Sequence, residues 1–210
     1  MREMKSALWM SGIKPLMVGI LVAVAAGVSG CNLQGGWSRG ERKVIEGEGE
    51  VMRVLTVEDE KDLKVLRTEA EGLTAKEVAS ETYRVLAEKL VATVTSPEQD
   101  GVGIAGPQVG ISRRVVAVQR FDKEGEPFEV YPDIRITATR GAMEPGPEGC
   151  LSVPGRRGEV LRYRDIDISY LSPVTLETVT ERIEGFTAVI FQPECDHLDG
   201  VLYIDKLLDE

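Results

Sequence analysis

Histidine is nearly missing from this sequence. Its 210 residues include one, His197, with three cysteines, Cys31, Cys150 and Cys195. A four-ligand structural zinc site of Cys and His therefore cannot form unless every one of these side chains joins it. The cysteines are also too widely spaced to suggest a disulfide framework. Positive charge is in deficit: 25 Lys and Arg face 35 Asp and Glu, for a formal net charge of −10. Nucleic acid is excluded as an expected partner, because such binding is driven mainly by basic side chains that neutralise phosphates and release counterions. The apolar run Leu16–Val28 has 13 residues, short of the about 20 that a spanning helix needs. What is present is ample apolar content, 42%, enough to build the core of one domain with an extension.

The extension is N-terminal. Arg2, Lys5 and Lys14 precede the apolar run, which ends in Val28-Ser29-Gly30-Cys31. A basic start, a short apolar core and small residues before a cysteine resemble the signal peptide and lipobox of bacterial lipoproteins. That resemblance implies cleavage after residue 30, lipidation of Cys31 and a membrane held through the lipid anchor, with the protein in the cell envelope outside the inner membrane. Residues 1–30 carry three basic side chains and one acidic, so the remainder is more acidic still and gains nothing from anionic headgroups. Residues 31–50, rich in glycine and charge, are expected to be a flexible tether.

The domain is expected over 51–210. Val51–Val57 has an aliphatic bias suggesting a first strand. Thr74-Ala-Lys-Glu77 has the form of a capping box, and Val78, Thr82, Leu86, Leu90 and Val94 recur every fourth residue behind it. This predicts one amphipathic helix ending near Ser96-Pro97. Gly101–Gly110 holds four glycines and a proline, which forbids regular helix and demands a shaped loop. Strands are expected at 114–121, 128–137, around 166–170 and at 174–183. A last helix is expected at 185–198, with Phe186, Val189, Ile190 and Pro193 along one face. Helix, antiparallel strands, helix is the order of an α+β domain.

Three segments carry chemistry: Gly101–Gly110, Glu148-Gly-Cys-Leu-Ser152, and Gln192-Pro-Glu-Cys-Asp-His-Leu-Asp-Gly200. In this order and spacing they resemble the signature motifs of the peptide deformylase family, metal-dependent hydrolases that remove the formyl group from N-formylmethionyl peptides. The resemblance covers about 51–207 and implies a deformylase-like α+β fold with strands packed around a central motif helix. It also implies a divalent metal, Fe2+ or Zn2+, held by Cys150 and His197. Glu194 would be the general base and acid, and Gln108 with the backbone N–H of Leu151 would stabilise the oxyanion. Gly101, Gly103 and Gly106 would let the backbone approach the substrate. A formamide is a poor electrophile, so the reaction needs these parts: an activated water, a proton shuttle and oxyanion donors. Formylated or otherwise N-blocked peptides are the implied partners, and a monomer is the expected state. Cys195 has no role in the resemblance and, about 160° around a helix from His197, is expected in the core.

The sequence departs from the pattern at one decisive point. The family's His-Glu-x-x-His helix places two imidazoles at i and i+4 on one face, and here that pair is Pro193 and His197. No other histidine in these 210 residues can replace the lost ligand. Proline in a helix interior also costs about 3 kcal/mol, and a kink is expected just before the site. Three readings stay open. Cys150, His197 and Glu194 together could hold a metal and keep some hydrolysis; the cleft could bind peptide N-termini without cleaving them; or the scaffold could play a structural envelope role. Gly106, where the family usually has Ala, and Tyr131-Pro132, where it usually has Asn-Pro, are smaller departures.

Overall fold

The structure is a computed structural model, and it describes residues 36–208. Cys31 and the proposed signal segment lie outside the described residues. Four helices come first: α1 (Arg39–Ile45), α2 (Glu60–Leu66), α3 (Ala75–Val78) and α4 (Glu81–Val94). Strands β1 (Gly103–Ala105), β2 (Val115–Gln119) and β3 (Phe128–Pro132) form one antiparallel sheet in the order β1-β2-β3. Strands β4 (Arg135–Thr139), β7 (Asp165–Leu171) and β8 (Thr178–Glu184) form a second, in the order β4-β7-β8. Between them β5 (Glu144–Cys150) and β6 (Val153–Arg162) make a long hairpin, and α5 (Gly185–Leu198) follows β8 directly. The fold is α+β.

Strand β2 is the wall around which the core divides. Its alternation sends Val115 and Ala117 to one face, where they meet Leu86, Leu90 and Val94 of α4. Val116 and Val118 go to the other, where they meet Ala188, Phe191, Cys195 and Leu198 of α5. A period of two with both faces apolar thus produces a strand buried on both sides. Cys195 belongs to this core, as its helical phase required.

Several expectations need correction. The 31–50 segment is not a tether over its described part. Ser38 and Glu41 form a reciprocal capping box that starts α1, Trp37 and Ile45 are buried in the core, and the Trp37 indole N–H donates to Ser80 Oγ at 2.9 Å. Arg113 secures it, its guanidinium 5.6 Å from the centre of the Trp37 ring and 2.5 Å from Glu41. Residues 51–57 form no ladder; instead the N–H groups of Leu55 and Val57 donate to the carbonyls of Gln108 and Ser152 at 2.8 and 2.9 Å. The helix expected from Thr74 onward is two helices, because Ser80 caps a new start by accepting from the Tyr83 N–H. The strand expected over 128–137 breaks at Asp133, whose φ of 50° lies in the left-handed region that Asp tolerates. Pro193 does not interrupt α5, which runs as one helix from Gly185 to Leu198. The carbonyl that proline leaves without a helical donor is that of Val189, on the cleft wall, where water can reach it.

Candidate functional site

The three motifs converge on a cleft of about 720 Å³. Strand β5 ends at Cys150, where the hairpin register shifts, and Leu151 and Ser152 turn the chain into β6. Helix α5 brings His197 in from the opposite side, so that Cys150 Sγ lies 3.1 Å from His197 Nε2. Gln108 stands on the 3₁₀ turn Gly106–Val109. The Ala105 N–H donates to its Oε1 at 2.8 Å, which fixes the amide so that Nε2 faces Cys150 Sγ at 3.5 Å and Ser152 Oγ at 3.3 Å. Gln108, Leu151, Glu194, Gly101 and Gly103 all line the same cleft.

Burial dominates the electrostatics. The Glu194 carboxyl is pushed up to about 8, first by burial and then by the neighbouring Glu148 charge. The same loss of water pushes the Cys150 thiol up to about 12, with Glu194 adding to it, and His197 down to about 4. All three groups are therefore mostly neutral at pH 7. Among the described residues, Glu194 Oε2 and His197 Nδ1 are buried with no hydrogen-bond partner.

Gly103 is required for a reason that differs from the expected one: a Cβ there would sit 2.5 Å from Glu194 Oε1, so the glycine makes room for the carboxyl as well as lining the cleft. Gly106 does not line the cleft. A Cβ on it would lie 2.7 and 2.8 Å from the Ile111 and Arg113 carbonyl oxygens, so backbone packing requires a glycine there. The apolar face of Phe186, Val189, Ile190 and Pro193 is a wall of the cleft.

Two supports were missed by sequence reasoning. Arg162, at the end of β6, pairs with Glu148 at 2.6 Å and with Asp196 at 2.7 Å. It thereby ties the strand carrying Cys150 to the helix carrying His197. The available signal was an arginine closing a strand between two motifs that each contain an unassigned carboxylate. Tyr131 is buried against Phe191 of α5 and Tyr170, with its hydroxyl donating to Glu129 and accepting from Arg120, each at 2.5 Å. This departure from Asn-Pro packs the base of the motif helix.

Comparisons with known proteins point one way. The family model "Polypeptide deformylase" matches residues 51–210. The chain belongs to the peptide deformylase family. Peptide deformylase of Halothermothrix orenii is 40% identical over 144 residues, 69% of this chain and 88% of that protein. The crystal structure of the Thermotoga maritima deformylase superposes with a TM-score of 0.65 at 33% identity, over 76% of this chain and 99% of that one. A Met-Ala-Ser-bound deformylase from Acinetobacter baumannii gives a TM-score of 0.66 at 34% identity, over 75% and 98%.

Deformylases act on N-formylated peptides, and membership implies a divalent metal. The residues present here do not fit one held in the family's manner. A thiol and an imidazole face each other, Pro193 fills the third position, and among the described residues no three His, Cys, Asp or Glu side chains form a group able to hold an ion. His197 Nδ1, which in a metal-ligating histidine donates to an orienting partner, has none among the described residues.

Proposed function

We propose that this deformylase-family protein receives the N-terminal residue of N-formylated or otherwise N-blocked peptides in its cleft and holds it without the family's metal-dependent hydrolysis. The observation that carries this reading is Pro193, an apolar ring one helical turn before His197, where the metal-binding pattern calls for an imidazole. The peptide-facing parts are intact. The Gln108 amide is locked with its N–H groups toward Cys150, and an apolar wall from α5 offers a seat for an N-terminal side chain. The bound Met-Ala-Ser in the Acinetobacter enzyme supports a peptide as occupant. Hydrolysis of a formamide needs an activated water besides these donors, and a two-ligand donor set supplies a poor centre for one.

Calorimetry on the full chain in detergent, with formyl-Met-Ala-Ser and Met-Ala-Ser, tests this directly. Binding that prefers the formylated peptide, with a small fraction of an equivalent of metal and no formate release, is expected. A full equivalent of iron or zinc with sustained turnover would overturn it.

The lipobox-like Val28-Ser29-Gly30-Cys31 supports placing this cleft in the cell envelope, where its ligands would be exported or scavenged peptides. Mass spectrometry of the mature N-terminus should find an acylated Cys31; an intact, unmodified residue 1–31 segment would exclude the anchor.

A further inference from the structure

Arg156 and Arg157 set one side of the cleft apart. Both line it and both are exposed. In this acidic chain most arginines of the domain are tied to carboxylates, and the two nearest in sequence show it: Arg162 pairs with Glu148 and Asp196, and Arg164 with Glu144. Among the described residues Arg156 and Arg157 form no ion pair. With a net charge of −10, two arginines side by side with no ion pair among the described residues are a local reversal of sign.

The hairpin aims them. Gly155, with φ of 70°, turns the chain just before the pair. Arg157 stands opposite Gly149 in the β5–β6 register. A Cβ at Gly149 would lie 3.3 Å from Arg157 Cγ and 3.6 Å from its Nε, so the arginine stem lies across the residue preceding Cys150. Tyr203 donates its hydroxyl to the Arg156 carbonyl at 2.9 Å, pinning the backbone between them. The carboxylates that share the lining are Asp100, Glu148 and Glu194. Glu148 is already matched by Arg162, and Asp100 belongs to the loop after α4.

We propose that Arg156 and Arg157 select peptides carrying carboxylates just beyond the N-terminal residue. The ligand chemistry is a carboxylate, from an Asp or Glu side chain at the second or third position or from the C-terminus of a short peptide, engaged by guanidinium N–H groups. This rests on the cleft reading above and adds a charge preference to it.

Calorimetry with four formyl-Met tripeptides separates the cases: Met-Asp-Glu, Met-Ala-Ala and Met-Lys-Lys as C-terminal amides, and Met-Ala-Ala with a free carboxylate. The acidic amide should bind on the order of five- to tenfold tighter than the neutral amide, as expected for two partly exposed charge pairs. The basic amide should bind weakest, and the advantage should shrink as salt rises to about 1 M. The free-carboxylate peptide matching the acidic amide would assign the recognised group to a chain terminus, and falling with the neutral amide would assign it to side chains; both support the proposal. The double variant Arg156→Gln/Arg157→Gln should level acidic and neutral amides while keeping the affinity for the neutral one, which also shows that it folds. Equal binding of acidic and neutral amides by the natural protein, or an advantage that survives in the double variant, would overturn the proposal and leave the cleft reading standing. Binding of none of the formyl peptides would overturn both.

Discussion

Cys150 Sγ and His197 Nε2 lie 3.1 Å apart, so the two residues that the family pattern implies as metal ligands are in contact with each other. One helical turn earlier, where an imidazole would complete the set, the α5 wall presents Pro193.

Restoring that imidazole is the direct experiment. Pro193→His places a nitrogen at i relative to His197 at i+4 on the face where Cys150 arrives. Bound iron or zinc should rise by at least the 10 to 100-fold that a supporting residue alone is worth, and formate release from formyl-Met-Ala-Ser should appear. Metal analysis and coupled formate detection read this out. Unchanged metal content would show that the lesion extends beyond one ligand.

Two glycines should separate packing from chemistry. Gly106→Ala drives a methyl against the Ile111 and Arg113 carbonyl oxygens, which are backbone and cannot swing away, so about 1–3 kcal/mol of stability should be lost. Gly103→Ala instead meets the end of the Glu194 side chain, which can rotate. It should unfold closer to the natural temperature yet bind peptide more weakly. Thermal unfolding paired with calorimetry distinguishes them; a Gly106→Ala protein as stable as the natural one would refute the backbone clash.

Arg162→Met should be among the most damaging single changes, because it strands Glu148, whose side chain is 8% exposed, and leaves Asp196 with Lys206 alone. Removing one partner of a buried pair costs about 3–5 kcal/mol. Arg162→Lys should recover only part of this, since an ammonium cannot bridge both carboxylates as a guanidinium does. Denaturant midpoints should rank natural, Lys, then Met.

Acid should loosen the network under Tyr131. The hydrogen bond from Arg120 holds the Asp122 carboxyl down at about 2 against an ordinary 3.8. A depressed carboxyl stabilises the fold above its unfolded value and loses that contribution as pH falls from about 3.8 toward 2. Asp122→Asn should therefore be less stable at neutral pH and show a shallower acid limb between those values in unfolding followed by circular dichroism. An identical limb would mean that the Arg120 pair contributes nothing there.

Much of this domain was legible beforehand because the signals are local. The α4 stripe, the bounds of α5 and the three motifs depend on periodicity and capping within one segment. The misreadings arose where a local signal met a nonlocal partner. Residues 38–45 looked like a tether because Gly40 and the charges mask a capping box, and only the surface offered by Arg113 and Ser80 gives Trp37 a place to be buried. Residues 51–57 looked like a strand, but their donors are taken by Gln108 and Ser152 carbonyls.

The sequence by itself determined the family's residues and the missing imidazole, since a ligand's identity is written in the chain wherever it folds. Only the tertiary structure decided that Cys150, Glu194 and His197 line one cleft, that Gly106 is packed against backbone carbonyls, and that Arg156 and Arg157 line the same cleft with no ion pair among the described residues. Each of these depends on distances between segments far apart in the chain, which packing sets and local pattern does not encode.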